Sequence, residues 1–194
     1  MRFLTDFADL AVVLPVAMCW IVGLGATGWW RGAAAFGVAV GATMGVVLAL
    51  KLVCLGCPIP PGRAAFSASG HVAGGTLVYG GAAALWLRRR LGVWPAAGFA
   101  AVPVAVVIAV TRVALHLHSV SEAAVGGIVG IGGVIAMLVL AGSWPDRARM
   151  GPAVLVVIPI LVLLHGVRLP AEARIKDWGG WMPAGICATV GVAR

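Results

Sequence analysis

Apolar residues run along this chain in six long blocks separated by short polar or basic joints, near residues 9–28, 33–53, 69–87, 96–116, 121–142 and 152–168. A helix needs roughly 20 mainly apolar residues to cross the hydrocarbon core of a bilayer. The last block is the shortest fit. The pattern predicts an all-α fold, a polytopic transmembrane helix bundle of about six spans. Residues 1–170 form one membrane domain, and 171–194 form a tail of mixed charge, Trp and Gly, interfacial or loosely ordered. No internal repeat or low-complexity linker interrupts the chain. No stretch has the form of a cleavable signal peptide followed by a polar mature domain, so the first apolar run is expected to be retained. Gly74-Gly75, Gly80-Gly81, Gly126-Gly127 and Gly130 fall inside the blocks. Small residues there let helix backbones approach closely in lipid, where packing drives association.

Composition agrees with that pattern. The 194 residues are 62% hydrophobic and 10% charged, with a mean hydropathy of +1.07, whereas a soluble domain carries about 25% charged residues. The net charge of +8 does not argue for nucleic acid, because the basic residues sit at block ends without aromatic interleaving. Positive flanks on anionic membranes are the simpler reading. Arg31, the triplet Arg88-Arg89-Arg90, Arg147 and Arg149 fall at joints on one side, and Lys51, Arg63 and Arg112 at joints on the other. The triplet places the first side in the cytoplasm, although Arg168, Arg174 and Lys176 in the tail run against this. Trp29, Trp30, Trp86, Trp94, Trp144, Trp178 and Trp181 lie at block ends, where interfacial aromatic anchors sit.

Four cysteines, Cys19, Cys54, Cys57 and Cys187, are too few for a disulfide scaffold. Cys54 and Cys57 form a C-x-x-C with neither a second such pair nor a strand–helix thioredoxin context. Packing near a span end is preferred to a local disulfide, and both to zinc or redox chemistry.

Two polar segments stand out beside the spans, Ser67-Ala68-Ser69-Gly70-His71 and Thr111-Arg112 with His118 and Glu122 behind it. Ionisable groups at membrane depth are costly, so such a cluster is a functional site by default. His118 and Glu122 are four apart, so a helix beginning near His118 stacks them on one face. The carboxylate can then fix the imidazole tautomer and leave the other nitrogen as a nucleophile. The planar fork of Arg112 suits bidentate phosphate binding. Ser69-Gly70-His71 opens the third span, where free backbone N–H groups, the Ser69 hydroxyl and the close approach that Gly70 permits make an anion pocket. His71 is placed to act as a general acid, and Lys51 and Arg63 add positive charge. Each residue also has a plainer explanation. A lone histidine at a span end is usually a hydrogen-bonded interface residue, and a lone arginine is usually a snorkelling anchor. His116, two residues from His118, points elsewhere on a continuous helix and lines the pocket only if the helix has ended. His165 reads as a bundle hydrogen-bond partner, and Asp6 and Asp9 as solvated interfacial acids.

The two segments resemble the motifs of the type-2 phosphatidic acid phosphatase family, membrane lipid phosphate phosphatases that include undecaprenyl pyrophosphate phosphatases. The family pattern is Lys, six residues and Arg-Pro; then Pro-Ser-Gly-His; then Ser-Arg, five residues, His, three residues and Asp. Ser69-Gly70-His71 matches the second part with Ala68 for the proline. Thr111-Arg112, His118 and Glu122 match the third at its spacing, with Thr for Ser and Glu for Asp. Lys51 matches the start of the first part, but Pro58 stands where its Arg is expected, and Arg63 substitutes through a different loop path.

The resemblance implies the family fold and a phosphohistidine on His118, oriented by Glu122. His71 protonates the leaving oxygen, while Arg112, Lys51, Ser69, Gly70 and Arg63 hold the phosphate, with no metal and no cofactor. The implied partners are a lipid phosphate substrate and membrane lipids, and the implied location is a bacterial inner membrane with the site on the extracytoplasmic side. Transfer of the phosphoryl group to another lipid is the nearest alternative. A non-catalytic transporter or scaffold is the alternative of a different class, against which the co-occurrence of Ser-Gly-His with Arg, His and Glu argues. A metal site built on His71, His116 and His118 is disfavoured by the thin carboxylate supply.

Overall fold

The computed structural model of the chain describes residues 2–56, 67–145 and 151–179. Among these the regular structure is entirely helical. A short helix α1 (Arg2–Asp6) leads into α2 (Leu10–Ala26) and α3 (Trp30–Gly56). From residue 70 three segments follow one another directly: α4 (Gly70–Gly75), a π-helical turn (Thr76–Gly80) and α5 (Gly81–Leu87). Helices α6 (Val93–Ala114), α7 (Val120–Ala141), α8 (Gly151–Leu164) and α9 (Ala171–Gly179) complete the fold.

Each of the six apolar blocks coincides with a helical segment. Among the described residues, three helices are long and apolar enough to cross a membrane: α3 over Trp30–Cys54, α6 and α7. The outward faces of α6 and α8 expose Phe99, Val106 and Val110, and Leu155, Val162 and Leu163. Contiguous apolar exteriors of this kind need a non-aqueous solvent or a covering surface. With the three long apolar helices, they mark a membrane protein.

Helix α7 is the central post. It packs along α3 and α6, and α4 also lies against it, while α2 packs on α3 and α8. The core joins Leu24, Phe36, Leu77, Leu85, Met137 and Leu138, all fully buried. The stripe Gly126, Gly130 and Gly133 explains how α7 accepts so many neighbours. A Cβ on Gly126 would lie 2.5 Å from the Ser69 carbonyl oxygen, and one on Gly130 would lie 2.8 Å from that of Ala73. One on Gly133 would collide with the Thr43 hydroxyl of α3. Only hydrogen at these positions lets the start of α4 touch the backbone of α7.

One end of the bundle is basic. Arg31 donates to the Leu140 carbonyl (2.8 Å) and Arg88 to the Gly142 carbonyl (3.1 Å), so both satisfy the orphan acceptors at the C-terminus of α7. Arg89 lies 5.5 Å over the Trp144 ring. Trp30, Trp86 and Trp94 are exposed at helix ends, as an anchoring role requires. Trp29 is not: it is buried and packs edge-on to Trp144 at 4.7 Å.

Candidate active site

The opposite end of the bundle gathers the starts of α2, α4 and α7 and the end of α6. Helix α6 stops abruptly. The Leu117 N–H bonds to the Arg112 carbonyl (3.0 Å) and the His116 N–H to that of Val113 (2.9 Å), the paired bonds of a Schellman stop. His116 takes the left-handed position of that stop, with φ 54°, where glycine is usual. Its ring is exposed, and it does not line the cavity described below. His116 ends a helix.

Ser119 then caps α7. Its Oγ accepts from the Glu122 N–H (3.3 Å), and its own N–H donates to Glu122 Oε2 (2.9 Å), a complete capping box. The helix therefore begins at Val120, two residues later than the sequence spacing predicts. His118 still meets Glu122, at 3.4 Å from Nδ1 to Oε2. That is longer than the roughly 2.7–3.2 Å of a well-formed N–H···O bond, because the same oxygen also takes the Ser119 N–H and hydroxyl. Glu122 thus has two tasks, starting the helix and orienting the histidine.

The two polar segments are tied directly. The Ser69 N–H donates to the Glu122 carbonyl at 3.0 Å, a contact open only because Gly126 lacks a Cβ. Ser69 is fully buried, and its hydroxyl neither caps α4 nor has another hydrogen-bond partner among the described residues. Thr111 is also buried, with its hydroxyl committed to the Ile108 carbonyl (2.7 Å).

A cavity of about 700 Å³ opens at this end. Its polar floor includes Lys51, Gly70, His71 and Arg112, and one apolar wall is Leu10, Leu14, Met44, Val47 and Leu48 of α2 and α3. Lys51 and Arg112 are 5% and 8% exposed. Ionisable groups this buried at the end of an apolar bundle make the cavity the candidate site. Ser69, His118 and Glu122 do not line the cavity, and the His118 side chain is 4% exposed. Arg63 and Cys57, together with Pro58 and Cys187, lie outside the described residues. Among the described residues, no three His, Cys, Asp or Glu side chains converge in a way that would hold a metal ion.

The rest of the floor comes from residues before α2 and after α8, where solvated acids and an interfacial or loosely ordered tail were expected. Asp6 and Asp9 are 8% and 6% exposed, not solvated acids. Asp6 Oδ1 takes two hydrogen bonds from Arg168, at 2.7 and 3.0 Å. Asp9 caps α2 through the Ala11 N–H (2.9 Å), accepts the Leu169 N–H (3.1 Å), and meets His71 Nε2 at 3.4 Å. Arg112 Nη1 donates to the Thr5 hydroxyl (3.2 Å). Helix α9 packs on α3, and its Arg174, Ile175 and Trp178 line the cavity. Two carboxylates placed just before a span on the site's side were the only signal for this in the sequence. His165 is a hydrogen-bond partner as expected, with Nε2 3.0 Å from the Phe3 carbonyl oxygen.

Burial pushes the Asp9 carboxyl up, but its hydrogen bonds with His71 and the N–H groups of Ala11 and Leu169 outweigh this. The group is held below its ordinary value of 3.8. A depressed carboxylate stabilises the fold above its unfolded pKa and loses that contribution as pH falls through the folded one. The melting temperature in detergent is therefore expected to fall as the pH drops from about 4 through the lower folded value, more steeply in the wild type than in Asp9→Asn. Equal slopes would show that these bonds add nothing.

The fold and site define a helical membrane protein with a cavity at one end that has a charged floor and an apolar wall. A similar chain occurs in Klebsiella pneumoniae, described as an uncharacterized 22.5 kDa protein in the cps region. It is 28% identical over 188 residues, covering 90% of this chain and 87% of the relative. No protein-family model and no solved structure matches the chain.

Proposed function

We propose that the protein is a membrane-embedded, metal-independent lipid phosphatase of the type-2 phosphatidic acid phosphatase kind. Its substrate is a lipid phosphate or polyprenyl pyrophosphate, cleaved through a phosphohistidine. In this reading all six apolar helical segments cross the inner membrane, and the site faces away from the cytoplasm. The observation that carries the reading is convergence. The Ser69–Glu122 backbone bond joins the two motif segments, and Lys51, His71 and Arg112, from three separate elements, share one cavity floor.

In the reaction, the phosphate seats on Lys51 and Arg112 against the start of α4, and its apolar chain lies along Leu10, Leu14 and Leu48. Glu122 holds Nδ1–H of His118 and leaves Nε2 with its lone pair toward phosphorus. His118 does not line the cavity at rest, so its ring swings toward the phosphate as substrate binds. Hydrogen bonds between catalytic groups are commonly long before substrate binds and tighten afterwards, which fits the 3.4 Å contact with Glu122. The bond from the attacked phosphorus to the leaving oxygen, of a lipid alkoxide or of a lipid phosphate, breaks as the P–N bond forms, and the developing charge is met by fixed cations.

The purified protein is expected to release inorganic phosphate from phosphatidate, phosphatidylglycerol phosphate or undecaprenyl pyrophosphate in detergent containing EDTA. Release from none of them would refute the reading. Release abolished by EDTA would replace side-chain cations with a metal.

A further inference from the structure

Every group that has been given a chemical role so far belongs to a motif visible in the sequence, yet two of those groups are held by the N-terminal segment. Thr5 accepts a hydrogen bond from Arg112, and Asp9 meets His71. We propose that Asp9 is the positioning residue of His71, forming with it a second carboxylate–imidazole pair that directs the general acid of the reaction. The proposal rests on the phosphatase reading and adds to it a residue from outside the motifs.

Three observations fix the geometry. Asp9 Oδ2 lies 3.4 Å from His71 Nε2, in a side chain only 9% exposed. Its other oxygen is immobilised by two backbone donors from opposite ends of the chain, Ala11 at 2.9 Å and Leu169 at 3.1 Å. The strap carrying Leu169 is itself pinned by the two Arg168–Asp6 bonds. A carboxylate held by two backbone donors cannot follow the ring, so the ring must follow the carboxylate.

The consequence is a division of labour between the two ring nitrogens. Nε2–H stays on Asp9, which leaves Nδ1 as the position that exchanges protons with the reacting group. In the first step His118 Nε2 attacks phosphorus, the P–O bond to the lipid breaks, and the Nδ1 proton of cationic His71 passes to the departing alkoxide. His71 is left neutral, with Nε2–H still on Asp9. In the second step Nδ1 takes a proton from water as its oxygen attacks phosphorus. The P–N bond breaks, its electron pair returns to His118, and His71 is cationic again. The carboxylate balances the imidazolium charge in each half of the cycle, as an orienting carboxylate does for a catalytic base.

The test separates positioning from folding through the leaving group. Asp9→Asn and Asp9→Ser both keep a residue able to cap α2, but Asn carries no charge and Ser is too short to reach His71. An alkoxide leaving group needs the acid far more than p-nitrophenolate does, and general acid catalysis contributes about 10²- to 10⁴-fold. Both variants are expected to lose at least about tenfold more kcat on dioctanoyl phosphatidate than on p-nitrophenyl phosphate. In a His71→Ala background the same Asp9 substitutions should leave the ratio of the two rates unchanged, because the group they position is gone. An equal loss on both substrates, no loss on either, or a further change of the ratio without His71 would each overturn the assignment of Asp9. A wild type inactive on both substrates, and on phosphatidylglycerol phosphate and undecaprenyl pyrophosphate as well, would instead refute the phosphatase reading, and this proposal with it.

Discussion

Replacing His118 with alanine is expected to reduce phosphate release by roughly 10⁴- to 10⁶-fold, the range reached when the nucleophile of a catalytic unit is deleted. The size of the effect follows from the mechanism. Lys51 and Arg112 can still bind phosphate, and His71 can still deliver a proton, but water would have to attack phosphorus unaided. Binding should survive, so inorganic phosphate or a non-hydrolysable lipid phosphonate should bind the variant within severalfold of the wild type. The intermediate provides a second readout. Wild-type protein quenched in alkali should carry a labelled phosphoryl group that acid releases, as a phosphorus–nitrogen bond requires, and His118→Ala should carry none. Substantial turnover by the variant, or a label unchanged in it, would remove His118 from the role.

The positions of the helices were legible because a bilayer imposes a length that a run of apolar residues either meets or misses. The pairing of His118 with Glu122 was legible for a similar reason, since a four-residue spacing is local. What failed was the inference from that spacing to a helix starting at His118. A capping box at Ser119 and Glu122 sets the start instead, and the histidine reaches the carboxylate from the residue before the cap. Ser119 followed three residues later by Glu122 was itself a readable cap signal.

Other features depend on partners distant in sequence. Nothing near Asp9 shows that residues 71 and 169 will close around it, and the same is true of Asp6 and Arg168. Trp29 lies at a span end like its neighbour Trp30, but one faces Trp144 in the core and the other faces outward. His116 was expected to line the pocket only if its helix had ended; the helix does end there, yet the residue does not line the cavity. Its backbone, in the left-handed position of a helix stop, is what the fold uses. The separation of polar ends was read correctly in outline. Arg31, Arg88 and Arg89 sit at the C-terminal end of α7, with Lys51, His71 and Arg112 at the other end of the bundle.

The glycines of α7 were read only as packing residues, yet one of them holds the site together. Gly126→Ala is expected to destabilise the protein by about 1–3 kcal/mol, the usual cost of overpacking, and to lower phosphatase activity by roughly 10²-fold. The added Cβ would lie 2.5 Å from the Ser69 carbonyl oxygen and 3.2 Å from both the Ser69 nitrogen and Val72 Cβ. The nearest of these atoms is backbone, so no rotamer change relieves the clash, and the start of α4 must move away from α7. That movement breaks the Ser69–Glu122 bond and carries His71 away from the segment bearing His118. A displacement of about 1 Å between reacting groups is enough for a loss of that size. Gly132→Ala on the same helix is the control, since its Cβ would meet nothing within 4 Å. It should be neutral, or stabilising by up to about 1 kcal/mol from helix propensity. If the two variants melt and turn over alike, the close approach at Gly126 does not position the site, and the two motif segments must be held together by other contacts.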